Sequence, residues 1–320
     1  MPDPRVVRAT EAENRRQSLV LLGALGVLLL ILGYALAGRL GVVMALVMGT
    51  LMFARGPDLS VDAVVRHFKG RALGRADAPV LTELLAQLAA RAELPVQPVL
   101  IYIPSEIPNA FAAGRRQAPI VAVTDGLLRR MQPRELAGVL AHEVGHIRNG
   151  DLKVMRVADF VTRTAGNFSF VGKMMLIFSL PQILAGEPPM KPLLIVLLLA
   201  APTLSILLQL ALSRTREFAA DLAAAELTGD PLGLASALQR LDGRRPGLFR
   251  QIFLPKTDPM PSYLRTHPKT PERVARLQAL AQSSARMAFP GTRDDEMREL
   301  ASFARPVVRR PVVASWLWPR

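Results

Sequence analysis

The stretch His142-Glu143-Val144-Gly145-His146 decides how the rest of this sequence is interpreted. On a helix, residues four apart lie on the same face, so the two imidazoles can grip one metal ion. The glutamate between them can reach a water on that metal, an arrangement suited to zinc-assisted hydrolysis of a peptide bond. The pattern therefore predicts Zn²⁺ held by His142 and His146, with Glu143 as the general base.

The flanking sequence predicts that this stretch lies on a helix that begins near Pro133, a residue suited to a first helical turn. One face of that helix is an apolar stripe at helical spacing, formed by Leu136, Leu140, Val144 and Ile147. Upstream, helical spacing over Val80–Leu94 predicts a helix, and apolar runs at Val99–Ile103 and Ile120–Val123 predict strands. This order is typical of the first half of a zincin protease.

Apolar residues are concentrated in blocks, in a chain of 320 residues that is 50% hydrophobic. Leu19–Ala54 carries one charge, Arg39, and has nearly twice the ~20 residues that one bilayer crossing needs. It predicts two membrane helices joined by a turn at Gly38-Arg39, because the apolar core of a signal peptide would be shorter. Leu193–Leu212 predicts another crossing, and Phe170–Ala185 predicts a weaker one whose depth in the membrane is left open.

The charge distribution predicts how these helices are oriented. Lys and Arg number 40 against 26 Asp and Glu, which gives a net charge of +14. Basic residues flank the outer ends of the apolar blocks, whereas the connecting turns carry Arg39 and Lys191 alone, so the N-terminus and the soluble parts are predicted to be cytoplasmic. The charge favours an anionic lipid surface, and the chain has no nucleic-acid-binding motif. It has no cysteine, which excludes disulfides.

A catalytic zinc usually has three protein ligands and one open position, so a third ligand is required. Asn149 and Leu152 stand where one branch of zinc proteases has Gly and His, which excludes that branch. Glu217 is the leading candidate, and Asp221 follows it by one turn, placed to bond the outer nitrogen of a ligand histidine. The spacing alone leaves other candidates open, namely Asp151, Asp221, Glu226 and His267.

Four ordered motifs resemble those of HtpX-like membrane zinc proteases, relatives of the CAAX prenyl endoproteases. The motifs are Asn109–Gly114, His142–Asp151, Ser213–Asp221 and His267–Arg273. The resemblance implies that Glu217 is the third zinc ligand and that Asp221 supports a ligand histidine. It implies an edge strand along which substrate binds, formed by Asn109, Ala110, Phe111 and Ala112. It also implies a bacterial inner-membrane protease that degrades damaged membrane proteins from the cytoplasmic side.

Two residues of the last motif are expected to support the reaction. His267 is the candidate donor to the oxyanion that forms during hydrolysis, with a surface turn histidine as the alternative. Arg273 is expected to hold nearby carboxylates such as Asp221. Thr270-Pro271 predicts a helix start, which places Arg273 in the first turn.

These features predict an α+β, predominantly helical membrane protein with a gluzincin-type zincin domain, a small β-sheet and about four transmembrane helices in two hairpins. The expected segments are a cytoplasmic N-terminal segment (1–18), a transmembrane hairpin (19–55), the first catalytic half (56–157), a second transmembrane hairpin (158–212), the second catalytic half (213–285) and an Arg- and Pro-rich tail (286–320). The tail is expected to be flexible, with a lipid-surface anchor or a segment folded against the cleft as alternatives.

The predicted function is a zinc-dependent endopeptidase for membrane-protein or unfolded polypeptide substrates, in a multi-pass protein of the bacterial inner membrane. A zinc-binding scaffold without catalysis is disfavoured, because Glu143 is intact. A transporter or channel subunit is disfavoured as well, because Lys173 is the one ionisable residue inside the predicted spans. The sequence predicts neither the oligomeric state nor the natural substrates.

Overall fold

The computed structural model describes residues 4–55, 60–178, 180–186, 192–242 and 271–285. His267 and the tail 286–320 lie outside the described residues, so the predictions for them stay predictions. The elements in chain order are α1 (Pro4–Arg55), α2 (Val61–Phe68), β1 (Arg71–Leu73), α3 (Pro79–Arg91), β2 (Val99–Ile103), β3 (Ala110–Arg115), β4 (Ala118–Thr124), α4 (Asp125–Arg130), α5 (Pro133–Asn149), α6 (Asp151–Phe178), α7 (Leu180–Leu184), α8 (Pro192–Thr228), α9 (Pro231–Asp242) and α10 (Pro271–Ala285). The protein is mostly helical with one small sheet, as predicted.

The long α1 is a helical hairpin with two arms. Its backbone leaves the helical conformation at Ala37 and at Gly38, whose φ of +58° and ψ of −137° suit only glycine. The arms then run against each other so closely that a Cβ atom on Gly33 would lie 2.5 Å from the carbonyl oxygen of Gly41. The predicted turn at Gly38-Arg39 therefore overlaps the turn in the structure.

A second helical pair is formed by α6 and α8. Leu198 of α8 packs against Gly172 of α6, where a Cβ atom would lie 2.5 Å from a Leu198 methyl group. Nearer the start of α6, the Thr162 hydroxyl donates to the Ser205 carbonyl at 3.5 Å, so the two helices run antiparallel. Both helices also pack against the first arm of α1, around Leu25 and Leu32.

Two helices in the described part of the chain are long and apolar enough to cross a membrane, within Val7–Ala54 and Leu194–Thr228. The helix α6 is not one of them, so the predicted count of four transmembrane helices is not confirmed. The predicted weak span Phe170–Ala185 falls on the end of α6, on α7 and on the turn after it. Large apolar side chains are exposed on α1 and α8, among them Val27, Val43, Val196 and Leu207. An apolar surface of this extent suits a lipid environment.

The sheet has four strands in the order β1-β2-β4-β3. β2 and β4 are parallel, whereas β1 and β3 pair antiparallel with their neighbours, which leaves β3 at one edge. Side chains alternate between the faces, so Leu100 and Val121 face α3 and α5, whereas Ile101 and Ile120 face α2. The strands predicted at Val99–Ile103 and Ile120–Val123 are confirmed. The sheet thus supports α5 from behind.

Candidate metal centre

The helix α5 is held rigidly at both ends. It begins at Pro133, as predicted, and the Glu135 carboxylate accepts a hydrogen bond from the backbone N–H of Gln132 at 2.9 Å. Gly150 ends it in the left-handed conformation, with a φ of +69°. The predicted apolar stripe is packed into the core, with Leu140 and Val144 fully buried. The histidine face is therefore fixed by the packing of the opposite face.

Glu135 ties the start of α5 to the neighbouring helix α9. Its carboxylate accepts hydrogen bonds from the Ser236 hydroxyl at 2.6 Å and from the Arg240 guanidinium at 2.9 Å. Burial raises the pKa of Glu135, but these bonds and the one from the Gln132 backbone outweigh it and hold the pKa below its usual value. Glu135 is not among the functional residues predicted from the sequence; a glutamate three residues after a helix cap is the signal that could have indicated it.

Small residues on α5 allow two other helices to approach it closely. A Cβ atom on Gly145 would lie 3.0 Å from the Cβ atom of Ala223 on α8, and one on Gly138 would lie 2.8 Å from the backbone nitrogen of Leu234 on α9. α8 therefore crosses α5 directly beside the histidines. This close crossing carries Glu217 to the two imidazoles.

His142, His146 and Glu217 form one buried cluster, with at most 5% of each residue exposed. The Nε2 atoms of the two histidines are 3.1 Å apart. The Glu217 carboxylate places Oε2 3.5 Å from Nε2 of His142 and Oε1 3.8 Å from Nε2 of His146. One potential ligand atom from each of the three residues thus lies within 4.8 Å of the other two, so the structure brings together the three ligand candidates named in the sequence.

Each imidazole is oriented by a carboxylate on its outer nitrogen. Asp221 Oδ1 lies 3.0 Å from Nδ1 of His142, which is the contact expected of Asp221. Asp151 Oδ2 lies 2.7 Å from Nδ1 of His146. Both Nε2 atoms therefore face the cluster, and the carboxylates set which nitrogen carries the proton. In the sequence analysis Asp151 was only an alternative metal ligand, and its contact with His146 was missed.

Arg273 neutralises part of the charge behind the cluster. It lies in the first turn of α10, as predicted, and its side chain is buried. Its guanidinium donates to Asp221 at 2.6 and 2.7 Å and pairs with Glu217 at 2.8 Å. Burial lowers the pKa of Arg273, but Asp221 and Glu217 outweigh it, so the pKa lies above its usual value and the charge is retained. The expected contact between Arg273 and Asp221 is present.

Arg216 plays the corresponding part for Asp151. It forms an ion pair with Asp151, donates to the Asn149 carbonyl at 3.1 Å, and contacts the Ser18 hydroxyl of α1 at 3.4 Å. Arg216 is not among the residues predicted from the sequence. Its position one residue before Glu217, on the side of α8 next to the ligand, is the feature that could have indicated it. Through Arg216 the first arm of α1 is connected to the metal-facing histidine.

Glu226 and the edge-strand residues 109–112 are not members of the His142, His146 and Glu217 cluster. Glu226 pairs with Arg148 at 2.9 Å, which accounts for its charge. Asn109 adjoins β3, and its backbone N–H donates to the Thr124 hydroxyl at 2.8 Å. Ala110, Phe111 and Ala112 lie on β3, which packs against α5 while its outer edge carries no strand among the described residues.

The electrostatics of the cluster favour a cation. Four buried carboxylates, those of Glu143, Glu217, Asp221 and Asp151, lie beside two guanidiniums, those of Arg273 and Arg216. Burial lowers the pKa of His142, yet Asp221 and Glu217 outweigh it and raise that pKa above its usual value. Uncompensated buried charge is unfavourable. Two imidazoles and a carboxylate in this environment form a site for a divalent metal ion.

A buried His-His-Glu group built on an HExxH helix, in a protein with two helices long and apolar enough to cross a membrane, defines a membrane-associated metalloendopeptidase. The chain belongs to peptidase family M48, whose model matches residues 75–281. It is similar to proteins called "Protease HtpX homolog". The one from Salinibacter ruber is 35% identical over 84% of this chain and 98% of its own length. The one from Methylibium petroleiphilum is 34% identical over 83% and 98% respectively. The resemblance noted in the sequence is confirmed.

Proposed function

We propose that the metal is zinc, held by His142, His146 and Glu217. The observation that carries this proposal is the spacing of the potential ligand atoms: 3.1 Å between the two Nε2 atoms, and 3.5 and 3.8 Å from these to the two carboxylate oxygens of Glu217. Tetrahedral zinc with bonds of about 2.05 Å places its ligands about 3.3 Å apart, close to these values. Two nitrogens and one carboxylate leave a fourth position for water, as catalytic zinc sites do. The two positive charges of the ion balance the excess of buried carboxylate.

When bound, zinc would polarise the scissile carbonyl and lower the pKa of a water molecule beside it. Glu143 adjoins His142 on α5 and is 2% exposed. In this proposal Glu143 takes the proton of the attacking water and delivers it to the leaving amine. Asp221 and Asp151 keep the imidazoles in the required tautomer, while Arg273 holds Glu217 in place. His267 remains the candidate oxyanion donor.

The substrate is proposed to be an extended polypeptide that adds to the outer edge of β3. Support comes from the position of Ala110–Arg115 at the end of the sheet, packed against α5. Recognition through backbone hydrogen bonds depends little on side chains. Such a site accepts unfolded or damaged membrane proteins of varied sequence, which suits a quality-control protease.

The protein is proposed to lie in the bacterial inner membrane with its catalytic part on the cytoplasmic side. The support is the distribution of Lys and Arg, which flank the outer ends of the apolar blocks. Ser213–Thr228 continues α8 beyond its most apolar part and carries Glu217, so the site lies close to the membrane surface. Protease protection on inverted membrane vesicles tests this orientation, since 56–157 should be digested there.

The experiment that tests the chemistry compares Glu143→Gln with His146→Ala. Glu143→Gln is expected to bind zinc normally and to lose cleavage of a membrane-protein substrate by at least about 10²-fold. His146→Ala is expected to lose both zinc and cleavage. Glu83→Gln on α3, where the glutamate pairs with Arg75 at the surface, is the control and should behave like the wild type. Near-normal proteolysis by Glu143→Gln would rule out the proposed base.

A further inference from the structure

A pocket of about 330 Å³ lies at the C-terminal end of α5 and has His146 among its lining residues. Its walls come from the turn between β3 and β4, from the start of α6 and from the end of the second arm of α1. Four cationic side chains line it, those of Arg115, Arg116, Lys153 and Arg156. No aspartate or glutamate is among the lining residues that the structure describes. The described lining of the pocket is therefore strongly positive.

The pocket lies where the apolar surface of α1 ends. Phe53 and Ala54 line it, and the outward-facing side chains of the same arm are exposed, with Met48 at 49%, Leu51 at 46% and Phe53 at 45%. The Lys153 ammonium lies 4.1 Å from the centre of the Phe53 ring, so a cation sits directly on the last aromatic residue of the arm. Apolar surface and positive charge thus meet at this point, as they do at a membrane–water boundary.

We propose that this pocket binds the phosphate group of an anionic phospholipid, with the acyl chains lying along the exposed face of α1. Arginine and lysine are the side chains that bind phosphate oxygens, and basic pockets at the ends of membrane helices favour anionic headgroups. The volume lies at the lower end of the range for small-ligand sites and suits a headgroup. Because His146 is among the lining residues, the bound headgroup also covers this approach to the metal centre.

The position of the pocket favours a lipid over an acidic side chain of the substrate. A peptide on the outer edge of β3 would reach Arg115 and Arg116 at the end of that strand. Such a peptide would not account for the contact of the Lys153 ammonium with the Phe53 ring. It would not account either for the part of the pocket wall that comes from the α1 hairpin. A phospholipid accounts for both, since it brings an anion and an apolar chain together. The proposal requires neither zinc nor cleavage.

The test uses the full chain in neutral detergent with a chelator present, so that catalysis plays no part. Short-chain phosphatidylglycerol is titrated, and its affinity is taken from the rise in the thermal unfolding midpoint; phosphatidylcholine is the neutral comparison. Arg116→Gln is expected to weaken phosphatidylglycerol binding about fivefold, and Arg116→Gln with Lys153→Gln about 25-fold. The control is Arg75→Gln with Arg130→Gln, which removes two exposed arginines away from the pocket. It should bind like the wild type.

Any of the following binding results overturns the assignment. If the wild type and the Arg116→Gln protein bind phosphatidylglycerol with equal affinity, the pocket does not recognise an anionic headgroup. Equal binding of phosphatidylglycerol and phosphatidylcholine leads to the same conclusion. The same shift with inorganic phosphate at the same concentration identifies a site for the free ion. A glutamate-rich peptide that binds in an Arg116-dependent manner, while phosphatidylglycerol does not, assigns the pocket to substrate. Loss of peptide cleavage in any variant bears on the proposed function alone.

Discussion

Replacing Asp151 by asparagine tests how His146 is held in its metal-facing orientation. The carboxylate lies 2.7 Å from Nδ1 of His146 and is 2% exposed, so water cannot take its place. The amide still accepts a hydrogen bond, but it carries no charge and leaves the Arg216 guanidinium without its partner. Loss of such outer contacts costs 10- to 100-fold in metal affinity, or about 1.4–2.7 kcal/mol. We expect Asp151→Asn to weaken zinc binding by this factor.

The assay is competition for zinc between the purified protein and a chromophoric chelator. Asp159→Asn is the matched control, because it makes the same substitution on the same helix, in a carboxylate that pairs with the exposed Arg163 at 2.7 Å. The control should keep its zinc affinity within about twofold. An Asp151→Asn protein with unchanged zinc affinity, or a control weakened to the same degree, would refute the role assigned to Asp151. The thermal midpoint in chelator separates this effect from loss of folding.

Three further predictions concern stability and metal. Glu135→Gln should reduce the free energy of unfolding by ~1–3 kcal/mol. The pKa of Glu135 is held below its usual value of about 4.3, so this stabilisation is complete above that pH and is lost as the pH falls through the folded-state pKa. The thermal midpoints of the wild type and the variant should therefore converge in acid. A gap that stays constant with pH would contradict the assignment. Gly33→Ala should destabilise the α1 hairpin by ~1–3 kcal/mol, because the new Cβ atom meets the backbone of Gly41. Gly23→Ala is the control and should not destabilise it, because a Cβ atom there has nothing within 4 Å. Equal thermal midpoints of the two variants would contradict the close crossing. Chelation should abolish cleavage and lower the midpoint, and added zinc at 100 times its dissociation constant should restore ~2.7 kcal/mol; a midpoint indifferent to zinc would count against a metal in the folded core.

Much of the metal centre could be predicted because its residues are close together in the sequence, at spacings that a helix brings onto one face. His142 and His146 lie one helical turn apart, and so do Glu217 and Asp221, so each pair could be assigned to one helix face. The strands flanking the site were visible as short apolar runs. Glu217 could be brought to the histidines only by resemblance, since the spacing alone left Asp151 and Asp221 as alternatives.

The contacts that were missed depend on how helices cross. Asp151 reaches His146 because Gly150 turns the chain sharply, so that α6 begins at once and its first carboxylate swings back against α5. Arg216 joins them because Gly145 lets α8 lie close to α5. Neither consequence can be read from periodicity within one helix. The sharp turn at Gly150 also explains why α6 begins at Asp151, seven residues before the predicted boundary of the second hairpin.

One unbroken helix joins the lipid-facing part of the protein to its metal-facing carboxylate. The 37 residues of α8 extend about 55 Å, well beyond the ~30 Å hydrocarbon core of a bilayer. In the proposed topology the start of α8 lies among acyl chains and Glu217 lies beyond them on the same helix, with Pro202 as the place where the helix can bend. A change in bilayer thickness that tilts α8 displaces Glu217 relative to the two histidines on α5. In the proposed topology, the position of Glu217 relative to the two histidines therefore depends on how α8 lies in the bilayer.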